Sequence, residues 1–380
     1  MIRHSTKPRS NWVDQVEELG LIYHHTKGRP YWDESRFYEF TAKQVDTLEA
    51  ATNEIQRLYL LAGQKIIDEQ LYSSLGIPQI AIPLIEKTWK EEPPAIYGRL
   101  DLAYDGVNEP KLLEYNADTP TGLLEAAVVQ WYWLQDLHKS SDQFNSIHER
   151  LIAKWKELND YMSSPLYLAH IDDPAGEDTM TANYMRDTAT QAGLKTEMIL
   201  MKDIGFCNDL QFDGKKFVDM RNREIKSIFK LYPWEWMVHE EFGKHLIDTK
   251  TQWIEPAWKM LFSNKATLAV LWDMFPHHPN LLESHLDGPH LMDQYVRKPK
   301  MSREGANITF YSNEGTLSTT GDYGEEGFVF QKLAPVWRQD NDYAVIGSWI
   351  IDQVSAGIGI RESEGPITDN LSSFVPHLFS

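Results

Sequence analysis

The stretch from Tyr97 to Glu125, YGRLDLAYDGVNEPKLLEYNADTPTGLLE, does most to limit what this chain can fold into. YGRLDLAY alternates polar and apolar residues, DGVNEP supplies turn chemistry, and KLLEYN returns as a second strand. Folding the strands about the middle of the turn sets Asp101 opposite Glu114 and Arg99 opposite Asn116. Residues two apart on a strand share a face, so the four form one polar square. Two facing carboxylates destabilise a sheet unless a proton or a cation sits between them. Asp101, Glu114 and the amide oxygen of Asn116 are hard ligands suited to magnesium, and Arg99 is placed to hold a phosphate oxygen. The plain alternative is an exposed hairpin with a solvated face.

With 380 residues the chain can bury a large core, usually in two or three subdomains. Its 37 basic and 56 acidic side chains give a formal charge of −19. That argues against a nucleic-acid or anionic-membrane partner and suits a cationic substrate. The single cysteine, Cys207, permits neither an intrachain disulfide nor a multi-cysteine zinc site. MIRHSTKPRSNW lacks the apolar core of a signal peptide, and no apolar run has the length of a membrane span. The expectation is a soluble, cytoplasmic protein acting on small molecules.

Helical periodicity dominates the first part of the chain. Thr41 and Gln44 have capping-box spacing, with Phe40 and Val45 as a hydrophobic staple. Val45, Leu48, Ile55, Leu58, Tyr59, Ala62, Ile66 and Leu71 continue one stripe to Gly76. Leu123, Leu124, Ala127, Val128, Trp131 and Leu134 mark a second helix. Ile147, Leu151, Ile152, Trp155 and Leu158 mark a third, and all these stripes are assigned to the core. From Pro165 strand and helix alternate. PLYLAHI and LKTEMIL flank the helix TMTANYMRDTATQAG, a hairpin LQFDGKKFVD comes next, and IKSIFKLYPWEWM completes a small parallel sheet over roughly residues 165–240. No glycine fingerprint follows its first strand, so a dinucleotide site has no support.

The last third carries cations in ordered positions. SNKATLAVLWDMF starts a helix just after Lys265, and DQYVRKPKMSREGANITFY reads as a strand with Lys298, a loop with Arg303 and Gly305, and a returning strand. EEGFVFQKLAPV is a strand stopped by Pro335, and YAVIGSWIIDQVSAGIGIRES is a final hairpin bearing Arg361. A strand lysine, a loop of backbone amides and a lysine at a helix start can bind a polyphosphate together, although the loop matches no Walker pattern. Joined to the carboxylate hairpin they outline a nucleotide site, with magnesium bridging phosphates. The pairs His24–His25 and His277–His278 point apart along the chain, Cys207 has no nucleophile motif, and the tryptophans fall on apolar stripes.

These strings together resemble, almost end to end, the synthetase half of the glutathionylspermidine synthase family, including its short single-function members. YWDESRFYEF, YGRLD, LLEYNADTPTGL, LYPWEWM, SNKA, LWDMFPHHPNLL, VRKPKMSREGANIT and GIRES before ITDN carry the resemblance. It implies an ATP-grasp fold and a carbon–nitrogen ligase in which ATP phosphorylates a peptide carboxylate and an amine attacks the acyl phosphate. It implies that Asp101, Glu114 and Asn116 bind magnesium and that Arg99, Arg303 and Arg361 surround the phosphoryl group. Lys265, Lys298 and the loop at Gly305 would hold ATP phosphates, and the segment near Gln331 the adenine. Glu177 and Asp178 match an acidic pair near the substrate, with Asp118, Thr119 and Thr121 also on the substrate side. A structural alternative makes Glu177 and Asp178 an ordinary helix start, with Asp178 or Thr179 as the cap. The bifunctional members' amidase domain has no counterpart here. Their serine-rich segment with a cysteine is Thr119-Pro120-Thr121-Gly122, and the second acid of the pair is aspartate rather than glutamate.

The reading is an α/β (α+β) chain with an ATP-grasp fold and a small parallel-sheet, pre-ATP-grasp-like subdomain. Residues 1–160 form a helical region with the metal-binding hairpin 97–116, 161–253 a substrate-side α/β subdomain, and 254–380 the nucleotide-binding region. The activity expected is ATP- and magnesium-dependent amide formation between a glutathione-like carboxylate and a polyamine-like amine. A catalytically silent nucleotide- or polyamine-binding protein of the same fold is the alternative. A metal-dependent hydrolase leaves both lysines unexplained.

Overall fold

Strands Tyr97–Ala103 and Lys111–Asn116 form an antiparallel hairpin with Arg99 opposite Asn116 and Asp101 opposite Glu114. Beyond Asp101 the register slips at a β-bulge, so that Leu102 faces Leu112 rather than Leu113. The first strand is buried throughout because it is not an edge. Asp342–Ile351 pairs along its other side, Val354–Glu364 pairs beyond that, and Ser373–Val375 closes the sheet, all antiparallel. The polar square therefore belongs to a six-stranded sheet built from distant parts of the chain, not to a solvated hairpin. The computed structural model describes residues 1–209, 214–303, 305–369 and 371–380.

Helix Ala42–Asp68 begins with the Thr41–Gln44 capping box and lays Leu48, Ile55, Leu58 and Tyr59 into one core with Leu100, Ile346 and Ile358. Polar ties fix its position on the sheet: Thr52 Oγ1 meets Ser348 Oγ at 2.6 Å, and the Tyr115 hydroxyl donates to Gln56 at 2.8 Å. The stripe is not continuous to Gly76. The helix ends at Asp68, Gln70 takes a left-handed φ of 53°, and Tyr72–Leu75 forms a separate turn. A second core gathers Trp32, Trp133, Trp155, Trp349 and Phe374. The helix over this core opens with a π turn, Glu125–Val129, before Gln130–Leu137. The wider turn rotates the remainder of the helix, so Val129, Trp133 and Leu134 face inward while Trp131, expected in the core, is 38 % exposed.

The parallel sheet runs in the order Gln252–Ile254, Ser227–Leu231, Leu166–His170, Thr196–Leu200, with helix Glu177–Gln191 as a crossover. It reaches further along the chain than expected, because Gln252–Ile254 is its edge strand. The hairpin expected at LQFDGKKFVD pairs Gly205–Asp209 with Gly214–Val218, and the positions expected as its first arm, 210–213, lie outside the described residues. A third sheet is antiparallel, in the order Ser284–His285, Phe328–Lys332, Tyr295–Pro299, Thr309–Ser312, Gly315–Ser318. It docks on the hairpin through side chains: Lys298 Nζ donates to Leu113 O at 3.0 Å and Gln331 Nε2 to Leu112 O at 3.1 Å. Successive carbonyls of a regular strand point to opposite edges, and the bulge lets both meet the same neighbour. The chain is thus a mixed α/β protein. Among the described residues no helix is long and apolar enough to cross a membrane.

A buried ion pair fixes where the hairpin begins. The Glu255 carboxylate accepts the amides of Ile96 at 2.9 Å and Tyr97 at 3.1 Å, and Lys259 bridges it at 2.6 Å while donating to Tyr97 O. Removing one partner strands the other charge. Lys259→Met should cost about 3–5 kcal/mol, and adding Glu255→Gln should return part of that loss. Urea unfolding of both variants checks this, and additive losses would remove the pair from its role.

Candidate functional site

The square on the hairpin is the floor of a cavity of about 810 Å³ that also reaches the third sheet and the crossover helix. Asp101 is held there by two arginines. Arg99 grips it with Nε at 2.7 Å and Nη2 at 3.1 Å, and Arg361 Nη2 adds a third bond at 2.8 Å. Arg99 Nη1 also donates to Thr121 O at 2.6 Å, which fastens the segment after the hairpin. The facing carboxylates do not repel unopposed. The Asn116 amide donates to Asp101 at 3.3 Å and to Glu114 at 3.2 Å, and Lys265 sits 3.1 Å from Glu114. Burial works against the Glu114 charge, but Lys265 and Lys298 outweigh it and hold the carboxyl below the usual range.

Lys298 rises from the third sheet and donates to Gln331 Oε1 at 2.7 Å as well as to Leu113 O. Burial pushes its ammonium down to about 8, with Glu114 opposing and Lys265 reinforcing the shift. Gln331 is buried, and its amide is engaged by Lys298 and Leu112 O. Lys265 lies behind Glu114 and donates to Ser302 O at 2.6 Å, which moors the loop that follows Pro299. Within that loop Gly305 has φ 70°, and a Cβ there would come within 3.0 Å of Ile367 and Thr368, so both backbone and space require glycine.

Arg303 does not join Arg99 and Arg361 on Asp101. Its Nε and Nη2 bind Glu235 Oε1 at 3.0 and 2.7 Å, Nη1 donates to Thr119 at 2.7 Å, and its guanidinium lies over Trp236. Thr119, Thr121, Glu177 and Asp178 line the cavity. Neither acid caps the crossover helix: its N-cap is Gly176, and Asp173 accepts from the Asp178 amide at 3.1 Å. Asp118 is buried behind the wall, where it accepts from Lys230 at 2.6 Å and from the Trp234 amide at 2.9 Å. Burial pushes this carboxyl up and the Lys230 ammonium down. Among the described residues no group of three His, Cys, Asp or Glu side chains gathers around a point.

Lys230, Glu235 and Trp236 escaped the sequence analysis, as did the cavity wall at Tyr31. PWEWM and YWDES were visible as unusual strings, but a lone glutamate between tryptophans has no chemical signature until Arg303 is placed beside it.

A family model described as glutathionylspermidine synthase preATP-grasp matches residues 3–380. A Haemophilus influenzae protein named "Putative acid--amine ligase" is 39 % identical over 98 % of this chain and 97 % of its own length. Trypanothione synthetase of Crithidia fasciculata is 25 % identical, and the bifunctional glutathionylspermidine synthetase/amidase of Escherichia coli 26 %. This chain spans 61 % and 63 % of those two proteins. A solved glutathione synthetase-like effector of Globodera pallida shares the fold at a TM-score of 0.56 and 11 % identity, covering 90 % of this chain and 89 % of that one. The chain belongs to the glutathionylspermidine synthase family.

Proposed function

We propose that this protein is an ATP-grasp acid–amine ligase that forms an amide by way of an acyl phosphate. The observation that carries the reading is the gathering of Arg99, Arg361 and Lys298 in the wall of one cavity around Asp101 and Glu114, with Lys265 paired to Glu114 from behind. Such a surplus of cations suits a polyphosphate, and membership of a ligase family supports the assignment. The donor set fits magnesium. Asp101 and Glu114 supply carboxylate oxygens, and rotation of the Asn116 amide presents its oxygen in place of the nitrogen that now bridges them. Magnesium, when bound, supplies charge neutralisation between phosphate oxygens.

Arg99 and Arg361 then orient the transferred phosphoryl group, while Lys298 exchanges its carbonyl and amide partners for phosphate oxygens. Arg303 leaves Glu235 to reach the same group, and Lys265 holds the loop through Ser302 during that movement. The amine side of the reaction is assigned to the acidic wall at Glu177 and Asp178, in keeping with the chain's negative charge. Glutathione and spermidine, suggested by the relatives' names, are the first pair to test. ADP release that requires both a carboxylate and an amine is the expected result. ATP binding without such release would return the protein to a binding role.

Glu114→Gln removes ligand charge at nearly constant volume. Turnover at limiting magnesium should vanish while the protein still folds, and unchanged ATP consumption would remove Glu114 from the metal site. For the acidic wall, Glu177→Ala and Asp178→Ala should raise KM for the peptide or the amine by about tenfold without altering KM for ATP. A fall in stability with normal substrate KM would assign both residues to the helix instead.

A further inference from the structure

One carboxyl beside the cavity has no part in the phosphate chemistry. Glu125 opens the π turn and is 1 % exposed. Its Oε1 accepts a 2.6 Å hydrogen bond from the Tyr31 hydroxyl, and its Oε2 is buried with no partner. Native proteins rarely leave a buried carboxylate oxygen unpaired, because the desolvation cost goes uncompensated. Tyr31 lines the cavity alongside Glu177 and Gly122, whereas Glu125 stands behind it. The tyrosine hydroxyl therefore connects a hidden carboxyl to the acidic wall. The charged groups facing the pair are Glu177, Arg99 and Arg361. Burial pushes the Glu125 carboxyl up to about 7, Glu177 adds to the shift, and Tyr31 and Arg99 oppose it.

An amine that enters as an ammonium ion must lose a proton before it can attack. Near neutral pH a base of ordinary carboxylate strength takes that proton poorly, and one poised near 7 takes it well.

We propose that Tyr31 and Glu125 form the proton relay that deprotonates the attacking amine, an inference that rests on the ligase reading. The ammonium proton passes to the Tyr31 oxygen as Tyr31 passes its own proton to Glu125 Oε1, which frees the nitrogen lone pair. That pair forms the bond to the acyl carbon. The bond from this carbon to the phosphate oxygen breaks, and phosphate leaves with the electrons. The second nitrogen proton goes to the departing phosphate. Amide, hydrogen phosphate, a neutral Tyr31 and a protonated Glu125 result, and Glu125 returns its proton to solvent through Tyr31 after release. Tyr31 is the catalytic residue here, and Glu125 acts through it.

Two acceptors separate this role from a structural one. Hydroxylamine is largely neutral at neutral pH and traps acyl phosphates without a base, whereas spermidine arrives protonated. With glutathione and related γ-glutamyl peptides as acyl donors, Tyr31→Phe and Glu125→Gln should form hydroxamate within about threefold of the parent rate. The same variants should lose about a hundredfold or more in ligation to spermidine at neutral pH. The parent's spermidine rate should rise with pH through about 7, and that inflection should be missing from Glu125→Gln. Equal losses with both acceptors, or none with spermidine, would overturn the relay while leaving the ligase intact. Absence of ATP-dependent hydroxamate in the parent protein would overturn the ligase reading, and the relay with it.

Discussion

Asp101 is held by two arginines, one 2 residues away along the chain and the other 260 residues away. Arg99 comes from its own strand, and Arg361 comes from a strand separated from the hairpin in the pairing order by Asp342–Ile351. A carboxylate this deeply buried is stable only when its partners are in place. Side chains on a strand alternate faces, so a one-residue slip of either neighbouring strand carries Arg361 away from Asp101. The ion cluster and the strand register therefore select each other. The same constraint explains why the cations around Asp101 and the sheet's core are not separable features of this molecule.

Around that knot, two of the contacts that hold the loop from Pro299 to Ile308 differ in character. Lys265 holds the backbone carbonyl of Ser302 with a charge-assisted hydrogen bond while it also pairs with Glu114. Arg303 is held by Glu235 and Thr119, contacts that compete directly with any phosphate. Glu235 belongs to the PWEWM segment, whose Trp234 is buried against Lys230 and whose Trp236 faces the cavity. One short segment thus links the parallel sheet, the loop and the cavity wall.

Much of the hairpin was legible because strand alternation and turn chemistry are local, and the pairing of Asp101 with Glu114 comes from them alone. The bulge past Asp101 was not, since it answers to Lys298 and Gln331 from a sheet far along the chain. Trp131 was misplaced for a related reason: a helical wheel assumes a constant turn, and one π turn displaces every later residue. The break at Gln70 was hidden because apolar residues resume at the right spacing after it. Asp118 illustrates a different limit. Its place beside the Asn-Ala pair suggested substrate contact, yet Lys230, from the parallel sheet, draws it into the interior. Long-range charge pairing leaves no periodic trace in sequence.

Lys298 is not an open cation waiting for an anion. Its ammonium already has a carbonyl and an amide oxygen, and a ligand gains only the difference between its own bonds and those two. Such a lysine sets an entry threshold. A monovalent anion in bulk solution offers too little to displace both partners, whereas adjoining phosphates that engage the arginines at the same time can do so. Selection among anions at Lys298 then turns on satisfied bonds that must first be broken.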